Sequence, residues 1–146
     1  MPIVLSLSLA LSAAVTLPVV PATTQSTMPQ AQSVQQYVES YFADEPILIA
    51  VAKCESHFRQ YDTDGSIIRG EVNNLDVGVM QINEHYHSSI ATKLGLDLYT
   101  LQGNAAYARY LYQKQGTAPW ISSQPCWGKS QAAKDIAVAK LAINKN

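Results

Sequence analysis

Residues 47–58 read Ile-Leu-Ile-Ala-Val-Ala-Lys-Cys-Glu-Ser-His-Phe, an apolar run with a carboxylic acid inside it. Leu48, Val51, Ala52, Glu55 and Phe58 fall on one face at helical spacing. Pro46 suits the first turn of a helix, where its missing N–H goes unused, and Asp44 or Glu45 just ahead suits the N-terminus. A chain that packs this face inward must draw Glu55 in with it. Burial disfavours the charged carboxylate. So does the negative end of the helix dipole, which lies near Glu55. An acid that keeps its proton near neutral pH can protonate a leaving-group oxygen. Taken alone, the run fits equally an ordinary solvated glutamate at a helix edge, the commoner case outside functional sites.

A second run, Asp76-Val77-Gly78-Val79-Met80-Gln81-Ile82-Asn83, is strand-like. Gln81 and Asn83 offer amide donors and acceptors. The structural alternative is that Met80 and Ile82 pack inward while their polar neighbours face solvent or brace a turn. The two runs, in this order, resemble the catalytic core of the lysozyme-like superfamily, which includes the lytic transglycosylase (SLT) domains and the c-type and goose-type lysozymes. Glu55-Ser56 with Phe58-Arg59 is similar to the Glu-Ser motif of SLT domains. Gly78-Val79-Met80-Gln81 resembles their Gly-Leu-Met-Gln motif. Residues 76–83 also resemble the Asp-Tyr-Gly-Ile-Leu-Gln-Ile-Asn pattern of c-type lysozymes, with Asp76 at the second carboxylate. Tyr86-His87 is similar to the goose-type enzymes. Residues 103–111, Gly-Asn-Ala-Ala-Tyr-Ala-Arg-Tyr-Leu, resemble the third SLT motif, with the Asn-to-Tyr-Leu spacing one residue shorter. The resemblance covers roughly residues 40–127, and two ordered motifs carry more weight than either alone.

The resemblance implies an α+β, mostly α, lysozyme-like fold with a small β-hairpin lobe. The cleft would lie between the Glu55 helix and the Gly78–Asn83 segment. The implied activity is cleavage of the β-1,4 bond between N-acetylmuramic acid and N-acetylglucosamine in peptidoglycan glycan strands, by a monomer without a cofactor. Glu55 would be the general acid. Asp76 would be the nucleophile or electrostatic partner of a hydrolytic lysozyme, or a turn-capping residue after Asn73-Asn74. Ser56, Gly78, Met80, Gln81, Asn83, Tyr107 and Tyr110 are the substrate-contact candidates. Gly78 would let a sugar approach the backbone. Ser56 would orient Glu55 or cap the helix. Tyr107 and Tyr110 would hydrogen-bond the acid or serve as core aromatics with wet tips. Met80 and the Glu55-Ser56 pair favour a lytic transglycosylase, which leaves a 1,6-anhydro product. Asp76 favours a hydrolytic lysozyme. A wall-binding module without turnover is the alternative of another class.

Residues 3–20 are almost wholly apolar or Ser/Thr and lead to Val20-Pro21-Ala22. That is a signal-peptide h-region with a small-residue cleavage site after Ala22, although no Lys or Arg precedes it. It implies export to the cell envelope or beyond; a retained anchor is the alternative, and only then is a membrane a partner. In an exported chain an even cysteine count favours a Cys54–Cys126 bridge over two buried thiols. The formal net charge of −1 provides no basic field for nucleic acid. His85 and His87 are two apart, which does not place them on one helix face, and no His-Glu-x-x-His pattern exists, so no metal site is expected. Cys54 with His57 at a helix end makes a poor catalytic dyad.

The remaining order is a linker at 23–33, a short amphipathic helix through Val34, Tyr37, Val38, Tyr41 and Phe42, and the domain proper to residue 128. Asp64-Gly65 predicts a hairpin turn between Tyr61 and Ile67-Ile68, in preference to a calcium loop. Glu84–Leu94 predicts a helix stopped by Gly95, and 101–115 another stopped by Gly116. Residues 117–127 are expected to be a loop holding both tryptophans. Residues 129–146 are expected to be a terminal helix or a tail.

Overall fold

The computed structural model describes residues 32–143. The export signal expected at 1–22, the linker up to residue 31 and residues 144–146 lie outside the described residues. The first helix, α1 (Val34–Tyr41), begins at a reciprocal cap. The Ser33 hydroxyl accepts from the Gln36 N–H at 3.2 Å, and the Gln36 side chain accepts from the Ser33 N–H at 3.0 Å. Helix α2 (Pro46–Ser56) has Pro46 at its start and buries Ile47, Leu48, Val51, Ala52 and Ser56. It stops one residue after Glu55. His57 and Phe58 both take left-handed backbone angles, φ 54° and 60°, which L-residues adopt rarely. Phe58 was expected to continue the helical stripe. It turns out of the helix instead and packs, half-buried, against the core.

A small β lobe follows. Tyr61 pairs with Ile67 around the expected Asp64-Gly65 turn, where Gly65 has φ 83°. The Asp64 carboxylate accepts from the Ser66 N–H and hydroxyl at 2.9 and 2.7 Å, so it braces the turn. Residues 76–83 do not make one strand. They fold back on themselves: β1 (Asp76–Val77) runs antiparallel to β2 (Ile82–Asn83), with Asp76 opposite Asn83 and Val77 opposite Ile82. The reversal is made by left-handed residues at both ends of the turn, Gly78 at φ 73° and Gln81 at φ 49°.

Helix α3 (Glu84–Lys93) is capped by Leu94 ahead of Gly95, which has φ 70°. Helix α4 (Leu101–Gln115) starts at Thr100, whose hydroxyl accepts from the Gly103 N–H, and ends at Gly116. Both helices match their expected stops. Arg109 on α4 holds the corner between α1 and α2: it donates to Glu45 at 2.7 Å and to the Tyr41 carbonyl, and lies over the Tyr41 ring.

Residues 117–127 are helical rather than a loop: a 3₁₀ helix spans Ala118–Ser123 and α5 spans Gln124–Trp127. Pro119 and Pro125 each sit in a first turn, where proline is tolerated. The indoles then fix the segment. Trp120 Nε1 donates to the Met80 carbonyl and Trp127 Nε1 to the Trp120 carbonyl, both at 2.8 Å. Cys54 and Cys126 are disulfide-bonded, with Cα atoms 6.0 Å apart, which fastens α5 to the end of α2. Residues 131–143 form the terminal helix α6, with Ala132, Ala133 and Ile136 half-buried on the core. The described chain is thus mostly helical with one small two-stranded antiparallel sheet. None of its helices is long and apolar enough to cross a membrane.

Candidate active site

The tip of the β1–β2 hairpin is driven into the core. Val77, Val79 and Met80 are all fully buried. A buried turn needs a partner for each backbone polar group, and here four side chains from elsewhere in the chain supply them. Asn104, in the first turn of α4, accepts from the Met80 N–H at 2.9 Å and donates to the Val77 and Leu98 carbonyls at 3.0 and 2.9 Å. Gln60 accepts from the Val79 N–H at 2.8 Å. Ser56 donates to the Val79 carbonyl at 2.8 Å. Trp120 takes the Met80 carbonyl, and the Gly78 N–H donates to the Ile68 carbonyl. The last residue of α2 is therefore tied directly to the turn, which sets the height of Glu55 relative to β1.

This network explains Gly78 differently from the expectation of close sugar approach. A Cβ on Gly78 would stand 2.5 Å from Asn104 Nδ2 and 2.9 Å from Gln60 Oε1. Gly78→Ala must also hold φ 73°. The substitution is expected to destabilise the fold by about 3 kcal/mol or more, from backbone strain plus broken buried hydrogen bonds. Urea unfolding would measure it, and a midpoint equal to wild type would contradict this role for the glycine.

Glu55 stands at the rim of the tied end of α2 and is half-buried. Its Oε1 accepts from the Ser123 hydroxyl at 2.6 Å. Among the described residues its Oε2 has no partner and stays open to solvent. Burial holds the carboxyl above the usual carboxylate range. The Ser123 hydrogen bond pulls the other way, and the nearby negative charge of Asp76 adds to the rise. Burial wins, so Glu55 holds its proton to higher pH than an ordinary glutamate.

Asp76 faces Glu55 from the β lobe. Its Oδ1 accepts from Asn83 at 2.7 Å, its cross-strand partner, and from Asn73 at 3.2 Å. Two adjoining hollows of about 260 and about 430 Å³ meet at Glu55, Asp76, Gln81 and Ser122. One extends past Asn83, Tyr86 and His87 over a floor made by Trp120. The other runs between His57, Arg59 and the 69–73 loop. Together they make a groove that crosses the acid. Burial lowers the pKa of His87, and its Nδ1 lies 3.0 Å from the Tyr107 hydroxyl. No group of His, Cys, Asp and Glu among the described residues is arranged to hold a metal ion.

The fold brings Glu55, Asp76, Gln81 and Asn83 to this groove, each with a distinct attachment. Gln81 donates back to the Gly78 carbonyl at 2.9 Å, and Asn83 caps α3. The other expected contact residues lie beneath or away from it. Ser56, Gly78, Met80 and Tyr107 are buried and build the support. Neither Tyr107 nor Tyr110 hydrogen-bonds the acid; they pack on each other, ring centres 5.5 Å apart. The acid's partner is Ser123, and the turn's partners are Gln60 and Asn104, none of which was singled out from sequence as a site residue. Asn104 alone left a trace there: a polar, poor helix former inside the apolar face of α4. No family model, curated protein or solved structure matches this chain.

Proposed function

We propose that the protein is a peptidoglycan-cleaving lytic transglycosylase of lysozyme-like fold, with Glu55 as its single general acid and base. One observation carries the reading: a half-buried glutamic acid, biased toward its protonated form, opens through one oxygen onto a groove lined by amides and an indole. In the first step Glu55 gives its proton to the glycosidic oxygen, and the bond to the muramic C1 breaks with oxocarbenium character. In the second step the Glu55 carboxylate takes the proton of that sugar's own C6 hydroxyl as its oxygen attacks C1. The ring closes as a 1,6-anhydro sugar, water is not consumed, and Glu55 is protonated again. Gln81 and Asn83 are the polar groups that would orient the acetamido and hydroxyl groups.

Hydrolysis by a lysozyme mechanism is the second reading, because Asp76 shares the groove with Glu55 and only its Oδ1 is engaged. Asp76→Asn separates the two. For a transglycosylase, Asp76 acts through its charge alone, so the variant should keep cleavage within about tenfold of wild type and still release anhydro products. For a retaining hydrolase, the loss should approach that of removing the acid. Turbidity clearing of purified peptidoglycan measures the rate. It also separates an enzyme from a module that only binds the wall.

A further inference from the structure

We propose that Ser123 is the positioning residue of Glu55, donating to its Oε1 in both protonation states and so leaving Oε2 to carry the catalytic proton. The Ser123 hydroxyl lies between two acceptors: Glu55 Oε1 at 2.6 Å and the Trp120 carbonyl at 3.1 Å. It has one proton and can serve only one of them at a time. When Glu55 is ionised, Ser123 donates to the carboxylate. When Glu55 is protonated on Oε2, its Oε1 is a carbonyl oxygen and still accepts from Ser123. Both arrangements keep every partner within hydrogen-bond reach, so the carboxyl need not move as its proton leaves and returns. An acid that serves both halves of a reaction needs that property.

The serine is itself held from several sides. It ends the 3₁₀ helix and lies three residues before Cys126, whose bridge to Cys54 is adjacent to Glu55 in sequence. The Trp120 carbonyl beside it is fixed by the Trp127 indole at 2.8 Å. The charged and titratable groups that line the groove with Glu55 are Asp76 on β1, Tyr86 and His87 on α3, His57 and Arg59 after α2, and Arg69 and Glu71 of the β lobe. The segment 118–127 contributes none, so this hydroxyl is its one hydrogen bond to the acid, beside the burial that its Trp120 provides. Ser123 lines neither hollow and acts through Glu55.

The catalytic meaning of this bond rests on the glycan-cleaving reading; the bond itself is tested without it. Carbon-13 NMR of the Glu55 side-chain carboxyl, titrated in the full chain, reads the proton directly. Ser123→Ala removes neither the disulfide nor the indole donors, and its Glu55 is expected to titrate at higher pH than wild type, because the lost hydroxyl holds the charged carboxylate more strongly than the neutral acid. Ser123→Thr, which keeps the hydroxyl, is expected to titrate with wild type. In peptidoglycan clearing, Ser123→Ala should lose about ten- to a hundredfold in kcat with KM little changed. Its alkaline limb should move to higher pH, and threonine should restore both. A Ser123→Ala titration that coincides with wild type would overturn the proposal, as would a threonine variant that shifts with alanine. Wild-type protein that releases no muropeptides would instead remove the glycan-cleaving reading and leave the titration standing.

Discussion

Glu55→Gln is expected to lower peptidoglycan cleavage by about 10²–10⁴ or more while leaving the fold intact. The amide matches the acid in shape but has no carboxylic proton to give, and one group serves both transfers in the proposed reaction. Its anchorage survives the change: Gln Nε2 can donate to Ser123 Oγ, whose own proton then turns to the Trp120 carbonyl. Stability should move in the opposite direction to activity. Burial raises the folded pKa of Glu55 above its unfolded value. The folded state therefore binds the proton more tightly than the unfolded chain. The stability this confers is fully present below the unfolded pKa and is lost as pH rises through the folded one. At pH 7 the neutral amide is relieved of that loss, so the variant should melt no lower than wild type. A thermal melt at acidic and neutral pH, paired with turbidity clearing, checks both halves. A variant that clears the wall at the wild-type rate would overturn either catalytic reading of Glu55.

The double substitution Cys54→Ser with Cys126→Ser is expected to cost about 4 kcal/mol of stability in the chain-entropy view of cross-links. The bridge closes a loop across a sequence separation of 72, long enough for that constraint on the unfolded chain to be large. The folded consequence is local. The α5 helix is only four residues long, and its attachment to α2 is the bridge together with the buried Trp127. Loss of the bridge should loosen the segment that brings Ser123 to Glu55. Urea unfolding of the oxidised, reduced and doubly substituted protein would show it, with the last two sharing a lowered midpoint. Equal midpoints for all three would contradict a stabilising role for the bridge.

The parts of this molecule that local chemistry determines were legible from its residues. Helix α4 has its bounds marked by apolar spacing and Gly116, and the two cysteines paired as an exported chain would allow. Glu55 was legible because it sits inside an apolar stripe on a single helix. What escaped was long-range or conformationally unusual. Ser123 is 68 residues from Glu55, and no spacing rule joins them. The hairpin at 76–83 looked like one strand because one of its two left-handed residues is Gln81, which carries no mark of a turn. Residues 117–127 looked like a loop because the hydrogen bonds that order them run from indole nitrogens, one to the Met80 carbonyl 40 residues away and one to the Trp120 carbonyl within the segment, and no local spacing marks either. Gly78, Ser56 and Met80 looked like substrate contacts and lie beneath the groove, because the motif that carries them is the buried support of the site.

The most direct measurement is mass analysis of the muropeptides released from purified peptidoglycan by the wild-type protein and by Glu55→Gln. A lytic transglycosylase acting through Glu55 predicts wild-type products ending in 1,6-anhydro-muramic acid, each lighter by one water than its hydrolytic counterpart, and no such products from Glu55→Gln. Release of reducing-end muropeptides alone would contradict it in favour of hydrolysis, and no release at all would contradict glycan cleavage itself.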